Sequence, residues 1–153
     1  MRSRGAAYAD PSHRVNQQWR DELAVFTTDG ADTLRQQSRA TDNALRFLLG
    51  AAEKRGDPVV VALAPPAFAV DTERLTATFD LLGLDPATAD VDAPAREMRR
   101  LLEITHTPTC DLAPALRASV DAGQDPYLRY DGHWSPQGHQ VVADALADCM
   151  SAL

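Results

Sequence analysis

The run Val59-Val60-Val61-Ala62-Leu63, fenced by Pro58 on one side and Pro65-Pro66 on the other, restricts this chain more than any other stretch. It is continuously apolar and mostly β-branched, with no polar residue in alternation. That is the pattern of a strand covered on both faces, as in a parallel sheet under helices. Helical patterns surround it. Trp19, Leu23 and Phe26 fall on one stripe of a short helix, and Thr27-Thr28-Asp29-Gly30 reads as a turn. A longer helix then runs from about Asp32 to Lys54, with Leu45, Leu48, Leu49 and Ala52 as its buried stripe, and Gly56-Asp57-Pro58 closes it. After the strand, Thr72 to Leu82 makes a helix with Leu75, Phe79 and Leu82 inward, ended by Gly83. Pro94 suits a helix start after Asp92, with Met98, Leu101 and Leu102 as its stripe. A poorer strand near Thr109-Cys110, weakened by Pro108, and a short helix from Ala113 to Val120 follow. Helix, turn, buried strand, helix is the order of an α/β domain. One firm strand and one poor one make a small sheet, so the expectation is a helix-rich fold or a piece of a larger sheet.

At 153 residues the chain suits one domain with a real core. Residues 1–12 are polar without a period, and a frayed or extended start is expected there. The net charge of −7 and the dispersed basic residues argue against a nucleic-acid-binding surface. No apolar run has the length to span a bilayer, so no membrane is implied. The start Met1-Arg2-Ser3-Arg4-Gly5-Ala6-Ala7 has no apolar core of a secretory signal, which leaves the cytoplasm as the default compartment. Cys110 and Cys149 lack metal-ligand spacing; they read as small buried hydrophobes or as one disulfide, which would imply export. No glycine-rich phosphate loop follows the strand, and no cofactor is expected.

Near the carboxyl end, Tyr130-Asp131-Gly132-His133-Trp134-Ser135-Pro136-Gln137-Gly138-His139 gathers a carboxylate, an imidazole, an indole and a turn glycine. Ser135 is a natural N-cap and Pro136 suits the first helical position. Val141, Val142, Ala145, Leu146 and Cys149 then recur at helical spacing. Asp131 and His133 therefore sit on a loop clamped against a helix start, a common address for catalytic side chains. The bland reading is a carboxylate capping a turn beside a surface histidine. The chemical reading is a general base with its orienting partner. His139, on the first turn of the helix, is weakly specified as a third member of a metal site, and no metal is expected. Trp134 reads as a packing anchor or as the wall of a substrate pocket. His13 and His106 have no partners in sequence and are expected at the surface, as are Arg99 and Arg100 on a helix face. No nucleophile stands out. The Ser135 hydroxyl is taken up by capping, Ser38 and Ser119 lie in helical patterns where they would be solvated, and Ser12 is in the loose start.

The segment Asp131-Gly132-His133-Trp134-Ser135-Pro136, then Gly138-His139 and the helix through Ala143-Asp144-Ala145-Leu146, resembles the C-terminal half of the SGNH (GDSL-type) hydrolase superfamily. The order of strand, Pro65, helix, strand near Cys110-Asp111-Leu112, loop and last helix is similar to that family's second half. The resemblance implies a flavodoxin-like three-layer α/β/α sandwich that hydrolyses or transfers acyl esters with a serine nucleophile, a histidine base and an aspartate. His133 matches the base and Asp131 its carboxylate partner. Asp-x-His departs from the commoner Asp-x-x-His and is nearer the Asp-x-His-Trp subgroup that resembles alginate O-acetyltransferases. The resemblance covers residues 58–153, with residues 1–57 as a helical N-terminal part. Neither Gly-Asp-Ser nor Gly-x-Asn-Asp occurs. The expectation is thus a partial domain lacking its N-terminal strands and nucleophile segment, inactive by itself. Its family's substrate would be an acyl-ester small molecule or an acylated carbohydrate. The alternative is a non-catalytic pseudo-hydrolase fragment that associates with a partner chain, or with its own copy, through an incomplete sheet.

Overall fold

The computed structural model describes residues 14–129 and 131–153, so the expectations for residues 1–12, Ser12 and His13 lie outside the described residues. Helix α1 (Arg14–Leu23) passes through two short 3₁₀ turns, Ala24–Phe26 and Thr28–Gly30, into α2 (Ala31–Arg55). Thr27 ties the corner. Its buried hydroxyl donates to the Ala24 carbonyl at 2.8 Å and accepts the Gly30 N–H at 3.1 Å. Gly56, with φ of 72°, ends α2 in a left-handed conformation and returns its N–H to the last turn. Ala52 is buried and Leu45 and Leu49 are half-buried along the expected stripe. Leu48 is not part of it: at the edge of the stripe no element among the described residues covers it, and it is 64% exposed.

Strand β1 (Val61–Leu63) pairs in parallel with β2 (Thr109–Asp111), aligning Ala62 with Cys110. Helices α3 (Thr72–Leu82) and α4 (Ala93–Ile104) lie between them in sequence, the crossover that parallel pairing needs. Asp71 caps α3, its carboxylate accepting the Glu73 and Arg74 N–H groups, and Gly83 closes it. The expectation that β1 is covered on both faces does not hold. The strand is three residues long, Ala62 is exposed, and Val60 before it is 39% exposed. Among the described residues the sheet has two strands, so β1 is an edge and its apolar run is only partly enclosed.

Helix α5 (Ala113–Asp121) leads through a loop to α6 (Pro136–Ser151), which packs on α5 and β2. A cluster of Val70, Leu112, Ala113, Leu116, Tyr127 and Val142 fills the space between, with Trp134 and Leu146 against it. Cys110, 1% exposed, is bonded to Cys149, so a disulfide, rather than two separate buried thiols, joins β2 to the last turn of α6. Two smaller expectations change as well. Ser119 is buried and donates to Gln124 Oε1, because its helix face meets the core rather than water. Arg99 leaves its helix face to pair with Asp111 at the end of β2, whereas Arg100 stays on the surface beside Glu97. The result is a helix-rich α/β fold with a small parallel sheet, a partial form of the layered sandwich.

Candidate active site

The turn carrying Asp131 and His133 closes on itself. Tyr127 and Trp134 pair as an antiparallel bridge, the Leu128 N–H donates to the His133 carbonyl at 2.6 Å, and the Ser135 N–H to the Pro126 carbonyl at 2.9 Å. Gly132, with φ of 73°, takes the left-handed position at the tip that a side chain would resist. The Asp131 carboxylate then folds back. Its Oδ1 accepts the His133 N–H at 3.0 Å and lies 3.3 Å from His133 Nδ1. The structure thus brings the two expected residues together, with Nε2 turned away from the carboxylate. Both remain open to solvent, at 55% exposure for Asp131 and 81% for His133.

The base of the turn is fixed from several sides. Ser135 caps α6 as its position predicts, accepting the Gly138 N–H at 3.1 Å, and donates to the Asp125 carbonyl at 2.8 Å. A Cβ on Gly138 would stand 1.8 Å from the Pro126 oxygen, so the helix start rests directly on the incoming chain. Tyr127, 3% exposed, donates its hydroxyl to the Pro65 carbonyl at 2.7 Å. Burial raises its pKa above the ordinary 10.0, so the phenol stays a donor further into the alkaline range. Arg74 of α3 reaches Asp125 Oδ1 at 2.5 Å and the Leu128 carbonyl at 3.1 Å.

Trp134 is half-buried against the core cluster and stands edge-on to His139, ring centres 5.5 Å apart. Its observed contacts are those of a packing anchor. His139 is exposed, and its ring meets Trp134 rather than the Asp131–His133 pair. Among the described residues, no group of three or more His, Cys, Asp or Glu side chains could hold a metal ion. His106 is exposed at the end of α4, where it takes a left-handed φ of 51°.

A cleft of about 320 Å³ opens beyond the carboxyl ends of β1 and β2, walled by Phe26, Pro65, Pro94 and Met98. Two ion pairs edge it, Arg99 with Asp111 and Arg117 with Asp92, each at 2.5 Å. Neither Asp131 nor His133 lines it; the link between the two is Pro65, which walls the cleft and receives the Tyr127 hydroxyl. Sequence reasoning passed over this cleft. Ligands of parallel α/β sheets gather outside the carboxyl ends of the strands, so the residues after Leu63 and around Asp111 carried the one available signal. Every serine among the described residues is engaged locally. Ser38 bonds the Leu34 carbonyl, Ser119 bonds Gln124, Ser135 caps α6, and Ser151 bonds the Ala147 carbonyl.

Comparison with curated proteins and with solved structures finds no match. A family match does exist. It covers residues 24–153, which includes the Asp131–His133 turn and reaches back through α2, well before the strand at which the resemblance in sequence became legible. The matching family is described as the SGNH hydrolase-like domain of the acetyltransferase AlgX, and this chain belongs to that family.

Proposed function

We propose that Asp131 and His133 are the acid–base half of an acyl-transfer site. His133 Nε2 takes the proton of an attacking serine hydroxyl as the serine oxygen bonds to the acyl carbonyl carbon. Asp131, beside Nδ1, fixes the ring's tautomer and stabilises the imidazolium that forms. The same proton then passes to the departing alcohol oxygen as the ester bond breaks. The observation that carries this reading is the 3.3 Å approach of Nδ1 to Oδ1 on the turn that heads α6, inside the family-matched stretch.

The serine and the oxyanion donors come, in this reading, from a segment outside these 153 residues. The sequence holds neither Gly-Asp-Ser nor Gly-x-Asn-Asp, and the described serines are occupied. The substrate class is an acyl ester, carried on a small molecule or a carbohydrate. A cleft with apolar walls and a polar edge of guanidinium–carboxylate pairs suits an acyl group on a hydroxyl-rich body. The disulfide supports work in an oxidising compartment rather than the cytoplasm.

Turnover of p-nitrophenyl acetate tests this. The 153-residue chain alone is expected to match the uncatalysed background. Produced together with a Gly-Asp-Ser segment read from the adjoining nucleotides, it is expected to become active and to lose about 10³-fold or more in His133→Ala. Activity of the isolated chain that His133→Ala abolishes would refute the external serine. Activity of the combined protein that ignores His133→Ala would refute the base.

A second reading, a non-catalytic fragment that associates with a partner chain or its own copy, is favoured by the open edge of β1, where Ala62 and Val60 are exposed. A folded monomer on size exclusion at high concentration would count against it.

A further inference from the structure

The Asp131–His133 pair stands largely in solvent, so whatever fixes its geometry acts through the backbone of the turn. The lower part of that turn is held by Ser135, Gly138 and Tyr127, all of which act on residues 125–127 or on the helix start. The rung next to His133 is different. There the Leu128 N–H donates to the His133 carbonyl at 2.6 Å, and the other side of Leu128, its carbonyl, is taken by Arg74 Nη1 at 3.1 Å. The same guanidinium bonds Asp125 Oδ1 at 2.5 Å and the Tyr127 carbonyl at 3.4 Å, while its Nε lies 3.2 Å from Asp71 Oδ2. Asp71 is the N-cap of α3, so one planar fork joins a capped helix start to three residues of the loop segment that supports His133. Arg74 is 22% exposed, and its bonds to Asp125, Tyr127 and Leu128 span separations of 51 to 54 residues.

We propose that Arg74 is the positioning residue of the dyad, holding Leu128 so that its rung to His133 sets the imidazole against Asp131. This rests on the reading of Asp131 and His133 as a working pair. Arg74 touches neither of them and is assigned no contact with substrate. A lysine keeps the charge but lacks the fork, so it cannot hold the helix cap, a carboxylate and two carbonyls together.

The test reads the ring itself. At about pH 9, where an ordinary imidazole is neutral, ¹⁵N NMR of the full 153-residue chain distinguishes which ring nitrogen of His133 carries the proton. With Nδ1 against Asp131, the Nδ1–H form is expected to dominate; an imidazole free in water favours Nε2–H. Asp131→Asn serves as the reference for a broken pair. Arg74→Gln and Arg74→Lys are expected to reverse the excess towards Nε2–H while the amide signals of α6 stay in place. Asp125→Asn, at a 60% exposed side chain where folding is not at risk, removes one arm of the clamp and is expected to shift the ratio the same way by less. An unchanged ratio in Arg74→Lys and Asp125→Asn would overturn the role of Arg74. A shift in Arg74→Gln that Arg74→Lys restores would also overturn it, by showing that charge alone acts. Nε2–H dominance in the unaltered chain would instead refute the dyad, a failure distinct from that of Arg74.

Discussion

Helices α2 and α6 are both long, and they are held in opposite ways. Over 25 residues α2 buries one, Ala52, and leaves Phe47 77% exposed and Leu48 64% exposed. It rests on α4 and on the 3₁₀ turns that precede it, with further support that is local, from the Arg46–Asp42 pair one turn apart and the left-handed Gly56 at its end. Helix α6 has 16 residues, but it is capped by Ser135, seated on Pro126 through Gly138, packed on the core through Val142, and bonded through Cys149 to β2. Local pairs and helical propensity suffice to make a helix, and tertiary contacts are what give it a fixed place. The Asp131–His133 turn heads the helix with the fixed place. The dyad proposed for Asp131 and His133 would have to hold one geometry in solvent, which a rigid mount allows.

Breaking the disulfide is the largest way to undo that contrast. Cys110 and Cys149 are 39 residues apart, a loop whose closure is worth about 4 kcal/mol on chain-entropy grounds. Replacing both by Ala is expected to lower the melting temperature by about 8–16 °C, read by calorimetry against the oxidised chain. An unchanged melting temperature would mean that α6 owes its position to packing alone. Paired glycine substitutions come next. Gly138→Ala drives a Cβ into the Pro126 carbonyl and is expected to cost about 1–3 kcal/mol. Gly50→Ala, in α2 with nothing within 4 Å, is expected to stabilise by about 0.5–1 kcal/mol. Denaturant midpoints that move in opposite directions sharpen the contrast, and the same direction in both would break it. Ser135→Ala removes the cap and is expected to cost about 1 kcal/mol in the same measurement.

The smallest effect is a pH dependence. Folding favours the protonated Tyr127, whose pKa is raised above 10.0 by burial. Its contribution is therefore whole below that ordinary value and declines as pH rises past it, because only the unfolded chain then releases the proton easily. A shallow alkaline fall in stability is expected, and Tyr127→Phe should flatten it.

Much of this was legible in sequence where the signal was local. The Thr72–Leu82 helix, its Gly83 stop, the Ser135 cap and Pro136 each depend on residues within a turn of one another, and the structure has them as read. The approach of Asp131 to His133 was legible for the same reason, since Gly132 between them makes a tight turn. Long-range facts were not. Nothing near Arg74 announces partners 51 to 54 residues away, and nothing near Cys110 chooses pairing over burial. The apolar run at Val59–Leu63 predicted a fully covered strand, because hydrophobic continuity reports what a strand can bury rather than what lies beside it. Leu48 misled likewise: periodicity marks a stripe, and the width of the contact sets how much of it is covered.

Amide hydrogen exchange on the oxidised chain tests most directly whether the turn bearing Asp131 and His133 stands on the most firmly held part of the molecule. The N–H groups of Ser135 and Gly138, bonded to Pro126 and to the cap, and those of buried α6 residues such as Val142, are expected to exchange only with global unfolding. Those of Leu45 to Gly50 in α2 are expected to open at a free energy lower by about 2 kcal/mol or more. Equal protection in the two helices, or stronger protection in α2, would contradict it.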